Sequence, residues 1–394
     1  MIIIFSVISL RTSRTILFAK SGNSIIDTPQ ILFVVHYICK LSKKGKFHTF
    51  HTFICYFTII TKSSEDGGNL LRKYVFLLCF LFLLVGCQGS SYTPIAKDKN
   101  VIITTNIKEG SISFIDKKDK KLITTWELNE PMAGITLLPN GDEILVYGKQ
   151  LEYMYVYSLA EGRQVGKYKT GKGIVNVVVS ADKKQLFAAD QNVQKVRFFT
   201  INGKETGNVS TGKGPITMVE YQNRLSVLNF YDTKLTTIDT KKKEVIQSFM
   251  IPPASTGATI SPDGKEIWIG GHGDGNQVNE KVLVYSLQSG EMVRSLHAPF
   301  MPVNITRDSK YVYALSHGSN TLRKFDIRTY KEIASVEVGS NPFAFFESGA
   351  EGYVASYDSD EVCVIDMKNL KIKQTIKVGK GPFQLIEREG KDNE

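Results

Sequence analysis

The chain has 394 residues with 49 Lys or Arg and 39 Asp or Glu, a formal net charge of +10. Ten of the basic and three of the acidic residues lie in residues 1–86, which leaves 39 basic and 36 acidic residues beyond them. A net charge of +3 over that larger part argues against a nucleic-acid-binding protein, and we expect no nucleic-acid partner.

Residues 1–70 show no domain character. They contain short apolar segments such as "MIIIFSVISL" and "FHTFHTFICYFTII", with no repeat and no alternation of strands and turns. Asp66-Gly67-Gly68 can be encoded by a ribosome-binding sequence, and Leu71 by a bacterial start codon. We therefore expect residues 1–70 to be untranslated upstream sequence or disordered. The alternative is an authentic N-terminal membrane region.

Residues 71–86 have the anatomy of a secretory signal. The basic pair "RK" precedes twelve apolar residues, 75–86, which are too few to span a bilayer. The segment ends in "LVGC", which resembles the lipobox of bacterial lipoproteins. The resemblance implies removal of a signal peptide at residues 71–86 and attachment of a diacylglycerol to Cys87. It predicts a palmitoylated protein anchored on the extracytoplasmic face of a bacterial cell membrane.

Between Cys87 and the first strand, residues 87–99 are predicted to form a lipidated, polar tether. Of the other cysteines, Cys39, Cys55 and Cys79 lie before the cleavage site, so only Cys363 would accompany Cys87 in the mature chain. No internal disulfide is therefore expected, and the fold must be held by its core. Residues 391–394 are a short tail.

The rest of the chain, residues 100–390, repeats with a period of about 42 residues. The segments "TGKGIVNVVV", "TGKGPITMVE", "VGSNPFAFFE" and "VGKGPFQLIE" begin 41, 127 and 40 residues apart. Aspartates also end alternating strands in four repeats, at Asp116, Asp239, Asp326 and Asp366; the other repeats carry Tyr157, Thr200 and Tyr285 there. We interpret these aspartates as turn-forming residues, because Asp side chains readily bond the backbone two residues on.

Each repeat predicts four β-strands, because runs rich in Val, Ile, Thr, Tyr and Phe alternate with turn residues. The first repeat lacks an inner strand, whereas "GPFQLIERE" at the C-terminus is an inner strand without a blade. Joining the two completes seven blades. The sequence therefore predicts an all-β protein, a seven-bladed β-propeller closed by the C-terminal strand.

The segments "VGKGPFQLI", "ISPDGKEIWIGG" and "VCVIDMKNLKIKQTIKVG" resemble the YVTN-type repeat of bacterial seven-bladed propellers, a WD40-like repeat, over residues 100–390. That group includes extracellular surface proteins and haem-binding propellers of cytochrome nitrite reductases. The matching residues shape the blade, so the resemblance implies the architecture and leaves the activity open.

No catalytic motif stands out in the repeats. "GKYKTGKG" and "GNVSTGKG" match a phosphate-binding loop except at the last position, but each leads into a strand rather than a helix. No HExxH, no closely spaced Cys pair and no Gly-x-Ser-x-Gly occurs in the sequence. We therefore expect no catalytic residue, no metal site and no cofactor.

Two histidines are the best candidates for a ligand site. His272 in "IGGHGDGN" and His317 in "ALSHGSN" are 45 residues apart, just after the second strand of adjacent blades, so both should emerge on one face. Asp274 follows in the longest such loop. The equivalent positions elsewhere are Lys149, Asp190, Phe230 and Tyr357 or Asp358, a mixed rim in which Phe230 and Tyr357 could stack on a ligand.

The function expected from these features is a non-catalytic binding scaffold, monomeric and held at the membrane by its lipid, with an unknown protein or small molecule as ligand. Two alternatives stay open. One is a propeller enzyme or cofactor carrier, lactonase-like or haem-binding, that uses His272 and His317. The other is a cell-wall polysaccharide binder.

Overall fold

The computed structural model describes residues 13–17, 34–38 and 91–390, which fall into two units. In the first, β1 (Ser13–Leu17) pairs antiparallel with β2 (Val34–Ile38). The predicted signal peptide, Cys87 and the tail 391–394 lie outside the described residues. Within the described part of the chain, no helix is long and apolar enough to cross a membrane.

The second unit consists of seven antiparallel sheets of four strands each, which confirms the predicted seven-bladed β-propeller. The first, innermost strands are β6 (Gly134–Leu137), β10 (Ile174–Val179), β14 (Pro215–Tyr221), β18 (Ser255–Ile260), β22 (Pro302–Arg307), β26 (Pro342–Ser348) and β30 (Pro382–Arg388). The second strands are β3 (Val101–Asn106), β7 (Glu143–Tyr147), β11 (Gln185–Asp190), β15 (Arg224–Asn229), β19 (Glu266–Gly271), β23 (Tyr311–Ser316) and β27 (Glu351–Ser356). The third strands are β4 (Ser111–Asp116), β8 (Tyr153–Ser158), β12 (Lys195–Thr200), β16 (Lys234–Asp239), β20 (Lys281–Ser286), β24 (Thr321–Asp326) and β28 (Glu361–Asp366). The fourth, outer strands are β5 (Lys121–Glu127), β9 (Arg163–Lys169), β13 (Glu205–Ser210), β17 (Glu244–Met250), β21 (Met292–His297), β25 (Glu332–Glu337) and β29 (Lys371–Lys377).

The ring closes as the sequence predicts. The C-terminal strand β30 is the inner strand of the sheet that continues with β3, β4 and β5. It pairs antiparallel with β3, with Ile386 opposite Ile103 and Leu385 opposite Thr104. These two strands are far apart along the chain, so noncovalent contacts hold β30 in this sheet, including backbone hydrogen bonds to β3 and the ion pair between Lys117 and Glu387.

Burial differs between the second and the fourth strands of each repeat. The second strands are buried along almost their whole length, because neighbouring blades cover both of their faces. The fourth strands instead alternate between exposed and partly buried residues. Trp126 and Trp268 are fully buried in the packing. The core is therefore distributed among clusters, several of which bridge neighbouring blades.

The residues that end the third strands form the expected side-chain turns. In every blade a side-chain oxygen at this position accepts a hydrogen bond from a backbone N–H two to four residues further on. The positions predicted at Tyr157 and Tyr285 were wrong by one residue, since Ser158 and Ser286 end these strands. Both tyrosines are buried in the core, whereas the serine hydroxyls can reach the turn.

The propeller has two distinct faces. Turns joining first to second and third to fourth strands lie on one side, which we call the turn face. Loops joining second to third strands, and the linkers between blades, lie on the opposite side, which we call the mouth face. Because β3 runs from the turn face to the mouth face, the chain enters the propeller at the turn face.

Part of the expected tether is packed against the propeller. The backbone N–H of Tyr92 donates to Gly162 and that of Ile95 to Leu159, both at the third-to-fourth turn of one blade. The Tyr92 ring stacks on Trp126 with centroids 5.1 Å apart, and Ile95 is buried. Residues 92 and 95 of the predicted tether are therefore held against the propeller, and residues 87–90 lie outside the described residues.

Candidate functional site

Seven equivalent residues surround the central axis at the mouth face, and we call them the mouth ring. In each blade, the last residue of the third strand pairs with a residue of the second strand. The ring member lies six positions after that second-strand residue. The mouth ring consists of Ile107, Lys149, Gln191, Phe230, His272, His317 and Tyr357, all partly exposed. It confirms the equivalence of the two predicted histidines, and that of Lys149, Phe230 and Tyr357. In the blade of β10 to β13, the ring member is Gln191 and not the predicted Asp190.

A repeated backbone bond fixes the mouth ring. In six blades the N–H of the ring residue donates to the carbonyl of the linker residue that precedes the inner strand, over 2.8–3.1 Å. These linker residues are Gly173, Gly214, Ala254, Met301, Asn341 and Gly381. All six have a positive φ, which turns the chain sharply into the inner strand.

The two histidines of the mouth ring contact each other. The imidazole centroids of His272 and His317 are 5.0 Å apart, and the rings are nearly perpendicular at 86°. Equivalent side chains of neighbouring blades can touch only near the axis, because blades diverge outward. The pair therefore lies at the mouth of the central channel.

Aromatic side chains extend the pair on both sides. Phe230 packs edge-on against His272 with centroids 5.8 Å apart, and Phe343 packs against His317 at 5.1 Å. Phe343 in turn contacts Tyr357 at 5.4 Å and Phe383 at 5.0 Å. The histidines thus lie within a continuous aromatic row, which supplies apolar walls and polarisable ring faces.

The opposite part of the mouth ring is polar. Lys149 donates to the side-chain oxygen of Gln191 over 2.9 Å. Lys108, the residue after ring member Ile107, lies 4.2 Å above the Tyr357 ring and donates to Asp358 over 2.9 Å. A ligand at this mouth would therefore meet aromatic and imidazole groups, the amine and amide groups of Lys149 and Gln191, and the amine of Lys108 beside Tyr357.

Both histidine rings have a nitrogen without a partner. Nδ1 of His272 and Nδ1 of His317 are buried atoms with no hydrogen bond to the described residues. Burial lowers the pKa of His272 below its usual range; it does the same for His317, whose pKa the neighbouring His272 lowers further. Both rings are accordingly neutral at pH 7, which leaves lone pairs available to a ligand.

Met301 is a site residue that the sequence analysis missed. Its Sδ lies 3.3 Å from Nε2 of His317. Met301 and the preceding Phe300 have φ values of 64° and 59°. A residue other than glycine in this left-handed region costs about 1–2 kcal/mol, and such strain concentrates at functional sites. Of the other five equivalent linker residues, three are glycine, one is Asn341 and one is Ala254, so Met301 and Ala254 are the two that adopt a positive φ without being glycine or asparagine.

The long loop of the fifth repeat, residues 272–280, holds Met301 in place. The N–H of Asn279 donates to the carbonyl of His272, and the N–H of Met301 donates to the carbonyl of Asn279. The N–H of His317 then donates to the carbonyl of Met301. This chain of backbone bonds connects His272, Met301 and His317, so the three side chains start from fixed backbone positions.

Asp274 makes its hydrogen bonds within its own loop and not with the two histidines. Its Oδ1 accepts from the backbone N–H groups of Asn276 and Gln277, both over 2.9 Å, and these bonds lower its pKa. Asp274 is exposed, and it lines a cavity of about 220 Å³ beneath the loop together with Gly271 and Gly273. Its carboxylate shapes the loop, and no hydrogen bond or ion pair among the described residues joins it to either histidine.

No group of three or more His, Cys, Asp or Glu residues within the described ranges is arranged to hold a metal ion. The donors in contact at the histidine pair are two neutral imidazoles and one thioether.

Comparison with known proteins identifies the fold. No protein-family model matches the chain, and no curated protein matches it in sequence. Solved structures do match. Hydrazine synthase of Kuenenia stuttgartiensis aligns with a TM-score of 0.59 and 16% identity, over 71% of this chain and 99% of that one.

Two further structures are similar. A functionally unknown protein from Desulfotomaculum acetoxidans DSM 771 aligns with a TM-score of 0.62 and 10% identity, covering 74% of this chain and 100% of that one. AztD from Citrobacter koseri gives 0.53 and 12%, over 75% of this chain and 100% of that one. The structural alignments establish the shared architecture, and at identities this low they assign no activity.

Proposed function

We propose that this protein is a bacterial extracytoplasmic lipoprotein of the YVTN-type repeat group, whose propeller binds a small ligand at its mouth ring. The observation that carries the proposal is the contact between His272 and His317. Two neutral imidazoles with unpartnered nitrogens, set within an aromatic row, combine polar groups with apolar ring surface, as small-molecule sites do.

The position of the N-terminal segment supports an orientation for the anchored protein. With a lipid on Cys87, the free tether would be residues 87–90, roughly 14 Å when extended at about 3.4 Å per residue. Residues 91–99 then run along the turn face, where Tyr92 and Ile95 are bound. The turn face would lie next to the bilayer, and the mouth ring would open away from it.

Lipid attachment is tested by metabolic labelling with an alkyne analogue of palmitate in a bacterial host. We expect the wild-type protein to be labelled and to sediment with membranes, and Cys87→Ala to lose both properties. Cys363→Ala is the matched control, because this buried thiol lies inside the propeller. Labelling of Cys87→Ala at the wild-type level would contradict the proposal.

Ligand binding is tested by native mass spectrometry of the protein extracted from membranes in mild detergent. We expect a retained non-protein mass that disappears in the double variant His272→Ala, His317→Ala. His297→Ala is the control, because this exposed histidine ends β21 in the outer strand. Equal retention in all three proteins would show that the mouth ring is not the binding site.

A second candidate, binding of cell-wall polysaccharide, is favoured by two exposed aromatic residues on the mouth face. Tyr231 and Phe300 are 65% and 47% exposed, and flat rings of this kind stack on sugars. Pull-down with purified peptidoglycan tests it, with Tyr231→Ala and Phe300→Ala expected to reduce retention. A bis-histidine haem carrier fits the geometry less well, because the rings of His272 and His317 touch and leave no space between them for a macrocycle.

A further inference from the structure

We propose that His272, His317 and Met301 form a binding site for a monovalent copper ion at the mouth of the central channel. The inference rests on the proposed function, ligand binding at the mouth ring, and names the class of ligand. It uses three neutral donors that three different segments of the chain bring together: the loops after β19 and β23, and the linker before β22.

The distances suit a shared metal ion. Bonds of about 2.1 Å to nitrogen and about 2.3 Å to sulfur at a tetrahedral angle place those two donors about 3.6 Å apart. Nε2 of His317 and Sδ of Met301 are 3.3 Å apart. Two imidazoles on one tetrahedral ion likewise have centroids about 5 Å apart, and those of His272 and His317 are separated by 5.0 Å. Both separations are therefore compatible with one ion shared by the three side chains.

The donor set selects among metals. Imidazole and thioether are soft, uncharged ligands, and thioethers favour copper(I) over harder ions. Calcium, magnesium and manganese require oxygen donors, and the described residues offer no carboxylate cluster here. Structural zinc sites take four ligands, usually including thiolates. The only described cysteine, Cys363, is buried in β28 and hydrogen-bonds with Ser356 and Glu361 instead.

The surroundings also suit a single positive charge. Phe230 and Phe343 flank the two histidines, so apolar rings border the site. A monovalent ion loses less hydration energy than a divalent one on entering such a half-buried, largely apolar mouth.

The backbone is arranged as a ligand site requires. Met301 keeps a positive φ, as does the equivalent Ala254 before the neighbouring inner strand, and the 272–280 loop holds Met301 through Asn279. Strain retained beside convergent side chains is a feature of binding sites, because it fixes the donors before the ligand arrives.

The test is an anaerobic titration of the full-length, detergent-extracted protein with copper(I), in competition with the chromophoric chelator bicinchoninate. We expect one equivalent to be taken from the chelator. Met301→Leu, which keeps size and apolar character but removes sulfur, should weaken binding at least about tenfold. His272→Ala and His317→Ala should each weaken it further. Met250→Leu is the matched control, since Met250 ends the outer strand β17 and is 61% exposed.

Two further measurements keep the result interpretable. Melting temperatures show that each variant is folded, and X-ray absorption should detect one sulfur and two nitrogen ligands, with the sulfur absent in Met301→Leu. Equal affinity in Met301→Leu and Met250→Leu would overturn the proposal, as would a preference for zinc over copper(I) in direct competition. If an organic ligand is retained in a histidine-dependent manner while copper(I) is not, the copper site fails and the proposed function stands.

Discussion

The closure of the ring can be tested at Leu385, in the middle of β30. Its side chain is 6% exposed and packs in the cluster that contains Ile102 and Ile115. Burial of a whole leucine side chain contributes roughly 1.5–3 kcal/mol, and the cavity left by truncation adds to the loss. We therefore expect Leu385→Ala to lower the free energy of unfolding by about 3 kcal/mol.

Leu122→Ala provides the comparison. Leu122 lies on the outer strand β5 of the same sheet, but its side chain is 41% exposed, so truncation should cost only about 1 kcal/mol. In a domain of this size, 1 kcal/mol corresponds to about 2 °C in melting temperature. Scanning calorimetry should accordingly show a decrease of about 6 °C for Leu385→Ala and about 2 °C for Leu122→Ala. Equal decreases would mean that β30 does not close the ring in solution.

Two further predictions concern the mouth and the contacts between blades. Because burial lowers the pKa of His272 and His317, the unfolded chain binds protons more readily, so stability is greatest above about pH 6.5 and falls as pH drops below it. The melting temperature should decline more steeply between about pH 7.5 and 5 in wild type than in the double variant His272→Gln, His317→Gln. Equal slopes would contradict a lowered pKa of these two histidines in the folded protein. Gly203 and Gly171 both have positive φ, but an added Cβ would overlap the Tyr168 ring only at Gly203. Urea unfolding should show a loss of roughly 3 kcal/mol for Gly203→Ala and roughly 1 kcal/mol for Gly171→Ala, and losses of equal size would rule out the Tyr168 contact as the cause.

The sequence determined the architecture, because every blade repeats the same local chemistry. The turn formed by Asp326 or Asp366 needs only its own neighbours in the chain, so its role could be predicted from spacing alone. Closure followed from counting strands, since a surplus inner strand at one end matched a missing one at the other. The errors at Tyr157 and Tyr285 arose because an aromatic residue and the serine after it both fit the end of an alternating strand.

The mouth was decided by tertiary structure. Sequence spacing indicated that His272 and His317 are equivalent. The distance between their rings, however, depends on how closely neighbouring blades approach at the axis. That distance is set only when all seven blades have closed into a ring. Met301 gave no signal, because a methionine before Pro302 does not indicate a positive φ. Its backbone is held by Asn279, and its sulfur meets His317 sixteen residues further along the chain. Local chemistry specifies each blade, whereas contacts between blades create the site.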